Sequence, residues 1–313
     1  MSAARAELKR LVAQELSEPV APAVMAMAEA VRARHAKAAL AVLFYGSCLR
    51  KPETLLSDSV LDFYLLVDDY RAAYDSGLMA FANRLLPPNV FYLELPQGVE
   101  MGAGTGGGTL RCKYAVLSLA QFVAGMSKAT LNVSLWARFS QPARLIWSRD
   151  PAAADQVAEA CVAAILTMLG NAAPLVSRSD DAEELWRRAF QETYAAELRS
   201  ENSDRATELV GLDVARYRRV TGPALILLRE RGEAPSAAES AATWRKRRRV
   251  GKLLNLARLV KATFTFQGAL DYVLWKVRRH SGVELPVTDW QRRHPLLSAP
   301  VLAWRLYRRG AFR

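Results

Sequence analysis

The chain has 313 residues, a net charge of +12 and an apolar fraction of 51%. That length allows two or three compact units, and that apolar content excludes wholesale disorder. The charge is uneven: residues 241–313 hold 17 Lys or Arg against three acids, Asp271, Glu284 and Asp289, so the rest of the chain is close to neutral. A basic terminal quarter implies an anionic partner, whether a phospholipid surface, nucleic acid or polyphosphate.

Three cysteines, Cys48, Cys112 and Cys161, stand far apart and suit reduced thiols better than a disulfide framework. No paired Cys/His spacing exists, and the histidines are His35, His280 and His294, so a structural zinc site is not expected and no histidine is read as a catalyst. A metal here would be a hard cation held by carboxylates. No uninterrupted apolar stretch reaches the roughly 18 residues that span a bilayer.

In chain order, residues 1–19 read as an amphipathic first helix, without the apolar stretch of a secretory signal. Residues 24–37 form a second helix. Residues 39–45 (A-L-A-V-L-F-Y) are a buried strand ending in Gly46-Ser47, and residues 60–67 (V-L-D-F-Y-L-L-V) are a second strand. A helix over 70–86 is stopped by Pro87-Pro88. A third strand covers 89–95, and a glycine loop follows through Gly108. The loop lacks the Lys-Ser/Thr of a P-loop and reads as a linker or substrate lid. An apolar segment at 113–117, a helix at 120–128 and a last strand at 143–147 complete the first unit. Helical spacing then dominates 152–169, 180–199 and 204–231. Small and polar residues at 232–240 form a linker, and the basic run 245–249 opens a final helical region rich in Trp and Leu. The expected plan is α/β: a mixed-sheet domain over 1–150, a mostly helical domain over 151–235 and basic C-terminal helices over 241–313.

Asp62 is the anomaly in this pattern. It interrupts an apolar strand, where an unpaired carboxylate is costly to bury and a bound cation would remove the cost. A strand ending in Gly-Ser, followed by a strand bearing an acid, supplies what nucleotidyl transfer requires. Gly46 lets backbone approach phosphates, its amide and that of Ser47 can form an anion-binding nest, and Asp62 can hold a metal.

Four segments occur in order: L-F-Y-G-S-C-L at 43–49, V-L-D-F-Y-L-L-V-D-D at 60–69, K-Y-A-V-L-S at 113–118 and A-R-F-S-Q-P at 137–142. Near the C-terminus stands K-A-T-F-T at 261–265. Together they resemble the mitochondrial-type CDP-diacylglycerol synthases, the phosphatidate cytidylyltransferases of the translocator assembly and maintenance family. The resemblance implies a nucleotidyltransferase-like fold of the DNA polymerase beta type. It implies transfer of a cytidylyl group from CTP to phosphatidate with Mg²⁺, in phospholipid biosynthesis, by a cytoplasmic protein peripheral on the inner face of an anionic membrane. Carried over, Gly46 and Ser47 hold the CTP phosphates, Asp62 ligates Mg²⁺, and Lys113, with Tyr114 beside it, contacts phosphate. Arg138 does the same or braces the site, and Lys261 reaches back toward phosphatidate or CTP.

Two departures mark the chain. Cys48 follows Gly-Ser where the family usually has glycine. No acid-x-acid pair surrounds Asp62, because Val60 and Tyr64 occupy the two partner spacings. A second ligand then comes from Asp58, Asp68, Asp69 or Glu94, with Glu94 favoured from the neighbouring strand. The alternative functions are transfer to another acceptor (RNA, protein or another lipid phosphate) and an inactive transferase scaffold on anionic membrane. Nucleic acid is not the expected partner. The basic run with Trp244, followed by Leu253, Leu254, Leu256, Leu259 and Val260, fits an interfacial helix, with Trp275, Trp290 and Trp304 at headgroup level.

Overall fold

A computed structural model describes residues 2–96, 109–197, 204–232, 236–265, 268–293 and 295–308. The glycine loop expected to act as a linker or lid lies outside the described residues. The fold is mixed α/β, built on a five-stranded sheet of order β3-β4-β2-β1-β5. The strands are β1 (Ala39–Tyr45), β2 (Val60–Val67), β3 (Asn89–Pro96), β4 (Thr109–Ser118) and β5 (Ala143–Ser148). Only β2 and β4 run parallel; the other pairs are antiparallel. Two short 3-10 turns, Ser47–Arg50 and Glu53–Leu55, return the chain from β1 to β2.

Successive side chains point to opposite faces of a strand, so the register sorts the sheet residues into two layers. On one face Phe44, Phe63, Leu65 and Val116 are buried with Val24, Met27 and Val31 of α2 (Pro22–Ala33). On the other face Leu43, Tyr64, Leu66 and Leu117 are buried with α1 (Ala3–Leu16) and α7 (Pro151–Ala172). This second core runs without a break from the sheet across residue 150 into the helices that follow. An ion pair between Arg216 and Glu15, 2.8 Å apart and almost wholly buried, ties α1 to α10 (Val214–Glu230). Arg216 also donates to the Ser140 carbonyl. By length and composition α7 could cross a membrane, but most of its apolar window is buried inside the fold, as in the core helix of a soluble domain.

Several elements depart from the sequence reading. The helix expected over 70–86 is two: α3 (Tyr70–Ala73) and α4 (Gly77–Leu85). Tyr74 is extended, and the Ser76 hydroxyl accepts from the Met79 amide to start a new helix, so the polar Asp75-Ser76-Gly77 sequence restarts the chain. The fourth strand is longer than its apolar stretch because β4 is paired on both sides, with β2 and β3. The helix after it, α5 (Leu119–Gly125), is shorter than expected. A short helix, α6 (Ser134–Phe139), carries Arg138.

The helical half continues through α8 (Ala182–Ala196), α9 (Asp204–Gly211) and α10. The 29-residue α11 (Ala237–Thr265) then crosses back over the molecule. Gly251 permits that crossing, since a Cβ there would lie 2.2 Å from the Ala196 carbonyl oxygen. The basic run is split: Arg245, Lys246 and Arg249 are exposed, whereas Arg247 and Arg248 turn toward the fold. Arg247 is buried over the Trp136 and Trp244 rings, at 5.4 and 5.1 Å, and Arg248 pairs with Glu192. The helix needs these side chains to dock, which is why Trp244 faces the core and not an interface. Of the apolar residues singled out on this helix, Leu253, Leu256, Leu259 and Val260 are exposed and Leu254 is half-buried; Phe264 is exposed as well. Helices α12 (Ala269–Ser281), α13 (Asp289–Arg293) and α14 (Pro295–Arg308) close the chain, with Leu285, Leu302 and Leu306 at their small core. Trp290 and Trp304 are exposed.

Candidate functional site

The site starts where β1 ends. Gly46 has φ +92°, a conformation that L side chains rarely adopt. A Cβ on Gly46 would stand 3.3 Å from Asp62 Oδ2. The glycine thus turns the chain and leaves room against that carboxylate.

Register then assembles a row across four strands: Tyr45 opposite Asp62, Asp62 opposite Lys113, and Lys113 opposite Tyr92. Asp62 and Lys113 meet at 3.7 Å, each about a third exposed. The Lys113 ammonium also lies 5.2 Å from the ring centre of Tyr272 on α12. Arg138 lies over the rings of Tyr45 and Tyr64, at 5.2 and 5.8 Å, and donates to the Tyr64 hydroxyl and the Ser134 carbonyl. Burial works against its charge, but Tyr45, Tyr64, Glu197 and Asp62 around it hold its pKa above the ordinary arginine value.

Two cavities open on either side of this row and share Tyr45, Asp62, Lys113 and Arg138 as a common wall. The smaller, about 590 Å³, adds Gly46, Ser47, Arg50, Arg205 and Glu208. The larger, about 700 Å³, lies under α11 and adds Arg258, Lys261 and Glu197. Lys261 donates to the carbonyls of Leu86 and Pro88, at 2.6 and 2.7 Å. Arg258, one turn earlier, donates to the Pro87 carbonyl and to Asn132 Oδ1. Burial, helped by the Arg258 charge, lowers the Lys261 pKa to about 8.

Seven of the residues expected from sequence therefore border the paired cavities: Gly46, Ser47, Asp62, Lys113, Tyr114, Arg138 and Lys261. No protein-family model matches the chain, and no curated protein matches it.

Two expected residues, Glu94 and Asp68, do not join the group. Tyr114 borders the larger cavity, but its ring is buried on the opposite face, stacked 5.1 Å from Phe91, because it follows Lys113 by one residue on a strand. Glu94 lies on the face of Asp62, but two strands away, and its carboxylate is occupied by Arg111 and the Tyr92 hydroxyl. Asp68 is six residues along β2, at the other end of the sheet, where it pairs with Arg149 and lines a separate hollow with Asp69 and Tyr70. Neither carboxylate is gathered with Asp62 in this structure.

Among the described residues no group of three or more His, Cys, Asp or Glu is gathered in metal-binding array. Mg²⁺ is commonly bound through one or two carboxylates, substrate phosphates and water, without an all-protein cage. Asp62 fits one such ligand position: it lines both cavities, and Gly46 places no Cβ against its Oδ2. Arg258, Arg205 and Glu197 escaped the sequence reading. Arg258 had a signal, its i, i+3 spacing from Lys261 on a helix. Glu197 and Arg205 lie about the α8–α9 connection and reach the cavities only through tertiary packing.

Proposed function

We propose that this chain is a nucleotidyltransferase of the DNA polymerase beta type, moving a cytidylyl group from CTP to phosphatidate to give CDP-diacylglycerol and pyrophosphate. The observation that carries the reading is the row Tyr45–Asp62–Lys113 on adjoining strands, with the Gly46 turn at its end, forming with Arg138 the shared wall of two cation-lined cavities. Such transfer depends on positioning and charge compensation more than on covalent chemistry. The Gly46 and Ser47 backbone can approach a triphosphate closely. Lys113 and Arg138 supply positive charge on the shared wall, and Asp62 would hold Mg²⁺. When bound, that ion compensates the charge on the triphosphate.

The acceptor phosphate is already an oxygen nucleophile, so the chain need not provide a strong general base. His35 suits no such role: it is buried, with Nδ1 2.8 Å from the Ala73 carbonyl and Nε2 3.3 Å from the Tyr114 hydroxyl. Burial lowers its pKa, so it stays neutral. The choice of phosphatidate draws on the sequence resemblance and on the exposed apolar stripe of α11, the same helix that sends Arg258 and Lys261 into the larger cavity. Purified protein with CTP, Mg²⁺ and phosphatidate vesicles is expected to release pyrophosphate, and Asp62→Asn to stop it. Absence of product with any nucleoside triphosphate, or equal turnover by wild type and variant, overturns the proposal.

A further inference from the structure

The row of side chains at the site does not stop at the edge of the sheet. Helix α12 lies against it and touches β3 and β4 at successive points along one face. Gly268, at φ +79°, stands just before the first turn, and a Cβ there would meet the Tyr92 carbonyl oxygen at 3.1 Å, so the chain enters α12 pressed against β3. The Tyr272 ring follows, 5.6 Å from the ring of Tyr92 and 5.2 Å from the Lys113 ammonium. Trp275, nearly one turn later, lies 5.6 Å from the Arg111 guanidinium and stacks with Tyr272. Positions 268, 272 and 275 share a helix face, and Arg111 and Lys113 share a strand face. One helix therefore sets an aromatic ring over each cation of β4.

The two cations are held differently. Arg111 donates to Glu94 at 3.2 Å and to the Ser57 and Thr109 carbonyls. Lys113 is directly opposite Asp62 in register, yet its ammonium stands 3.7 Å from Asp62 Oδ1, beyond hydrogen-bond distance. Lysine carries its charge on a flexible four-carbon stem and can close on a carboxylate across the strands, so the gap calls for a competing attraction. A cation within about 6 Å of an aromatic ring centre is drawn to the ring face, and Tyr272 supplies that ring. We propose that Tyr272 is a positioning residue that holds the Lys113 ammonium back from Asp62. Resting on the transferase reading above, this lets the carboxylate meet a cation while the ammonium meets a phosphate. Without the ring, Lys113 closes on Asp62, and a cation must break that pair before it binds. Helix α12 thereby belongs to the site as well as to the C-terminal region.

Two measurements on the full chain test this role. Lysine-labelled NMR reads the position of the ammonium: the ring current of Tyr272 is expected to shift the Lys113 ε-methylene signal upfield, with the signal assigned by its loss in Lys113→Arg. The shift should persist in Tyr272→Phe, which keeps the ring, and vanish in Tyr272→Leu. Electron paramagnetic resonance of Mn²⁺ in the presence of CTP reads the consequence. Tyr272→Leu is expected to weaken Mn²⁺ binding about two- to fivefold, the scale of one partly exposed cation–ring contact, and Tyr272→Phe should recover most of that loss. In a Lys113→Gln background, Tyr272→Leu should cause no further loss, an outcome that packing by α12 would not produce. A Lys113 signal at the ordinary lysine position in wild type, or a Tyr272→Leu loss that persists in full without Lys113, overturns the proposal. If Mn²⁺ with CTP does not bind even the wild type, the transferase reading falls, while the Lys113 signal still decides whether Tyr272 holds that ammonium.

Discussion

Two rows of side chains cross the same four strands one residue apart, and they have opposite characters. Phe44, Phe63, Tyr114 and Phe91 are mutually opposed on β1, β2, β4 and β3, and all are buried against the face that α2 covers. Tyr45, Asp62, Lys113 and Tyr92 form the neighbouring row on the other face, with Asp62 and Lys113 open to the cavities. The aromatic row fixes the register, and the register places the charged row. A slip by one residue would send Asp62 and Lys113 into the dry core, so the packing of one face specifies the chemistry of the other. The faces should therefore respond differently to substitution.

The largest effect is expected from the aromatic row. Phe63 is fully buried, with its ring 5.2 Å from that of Phe44. Phe63→Ala is expected to cost about 3–5 kcal/mol of stability through lost transfer energy and a cavity. Urea denaturation measures it; a loss below about 1 kcal/mol would mean that this row does not hold the sheet.

Asp62→Asn gives the converse. Its ion pair with Lys113 is partly exposed, and such pairs contribute about 0–1 kcal/mol, so the urea midpoint should barely move. Pyrophosphate release is expected to fall about 10²–10³-fold, the scale of losing one preorganised electrostatic group. A variant that unfolds early while its folded fraction keeps full turnover would reverse the roles of the two rows.

Gly46→Ala acts on the join between β1 and the charged row. A side chain at φ +92° carries strain of about 1–3 kcal/mol, and the new Cβ presses on Asp62 Oδ2. A modest drop in stability is expected, together with weaker CTP binding in calorimetry. Unchanged CTP affinity would show that the nucleotide does not approach this turn.

The sheet was legible because the strands of its interior read as short apolar runs between turn residues, and Asp62 stood out as the one charge inside such a run. Gly46 was legible as the turn residue that ends an apolar run, whereas Lys113 came from the resemblance. Tyr114 was misplaced because its motif was carried over as a block, whereas strand alternation separates neighbours onto opposite faces. Glu94 satisfied the face rule but not the distance, since strand order, set by nonlocal pairing, puts β4 between it and Asp62. The basic run at 245–249 read as part of an interfacial helix throughout because composition cannot distinguish an exposed arginine, such as Arg245, from one packed over two indoles, as Arg247 is. Glu197 left no local signal at all.

The smallest effect concerns the pH at which the larger cavity can hold an anion. Lys261 has its pKa lowered to about 8 in the folded chain, by burial and the neighbouring Arg258, against 10.5 for a free lysine. Between those values the unfolded chain binds the proton and the folded chain does not, so this residue makes stability rise as pH climbs from about 8 to 10.5. That contribution is lost as pH falls through about 8. Capture of the acceptor phosphate has the opposite sign, because it needs the ammonium. The kcat/KM for phosphatidate reports the free protein and is expected to decline above pH 8, by up to about tenfold per unit until Arg258 alone remains. The kcat/KM for CTP should not share that decline, and Lys261→Arg, which stays charged, should flatten it. If Lys261→Arg declines as steeply as wild type, the titrating group is elsewhere and Lys261 is a strut between α11 and the Pro87-Pro88 turn.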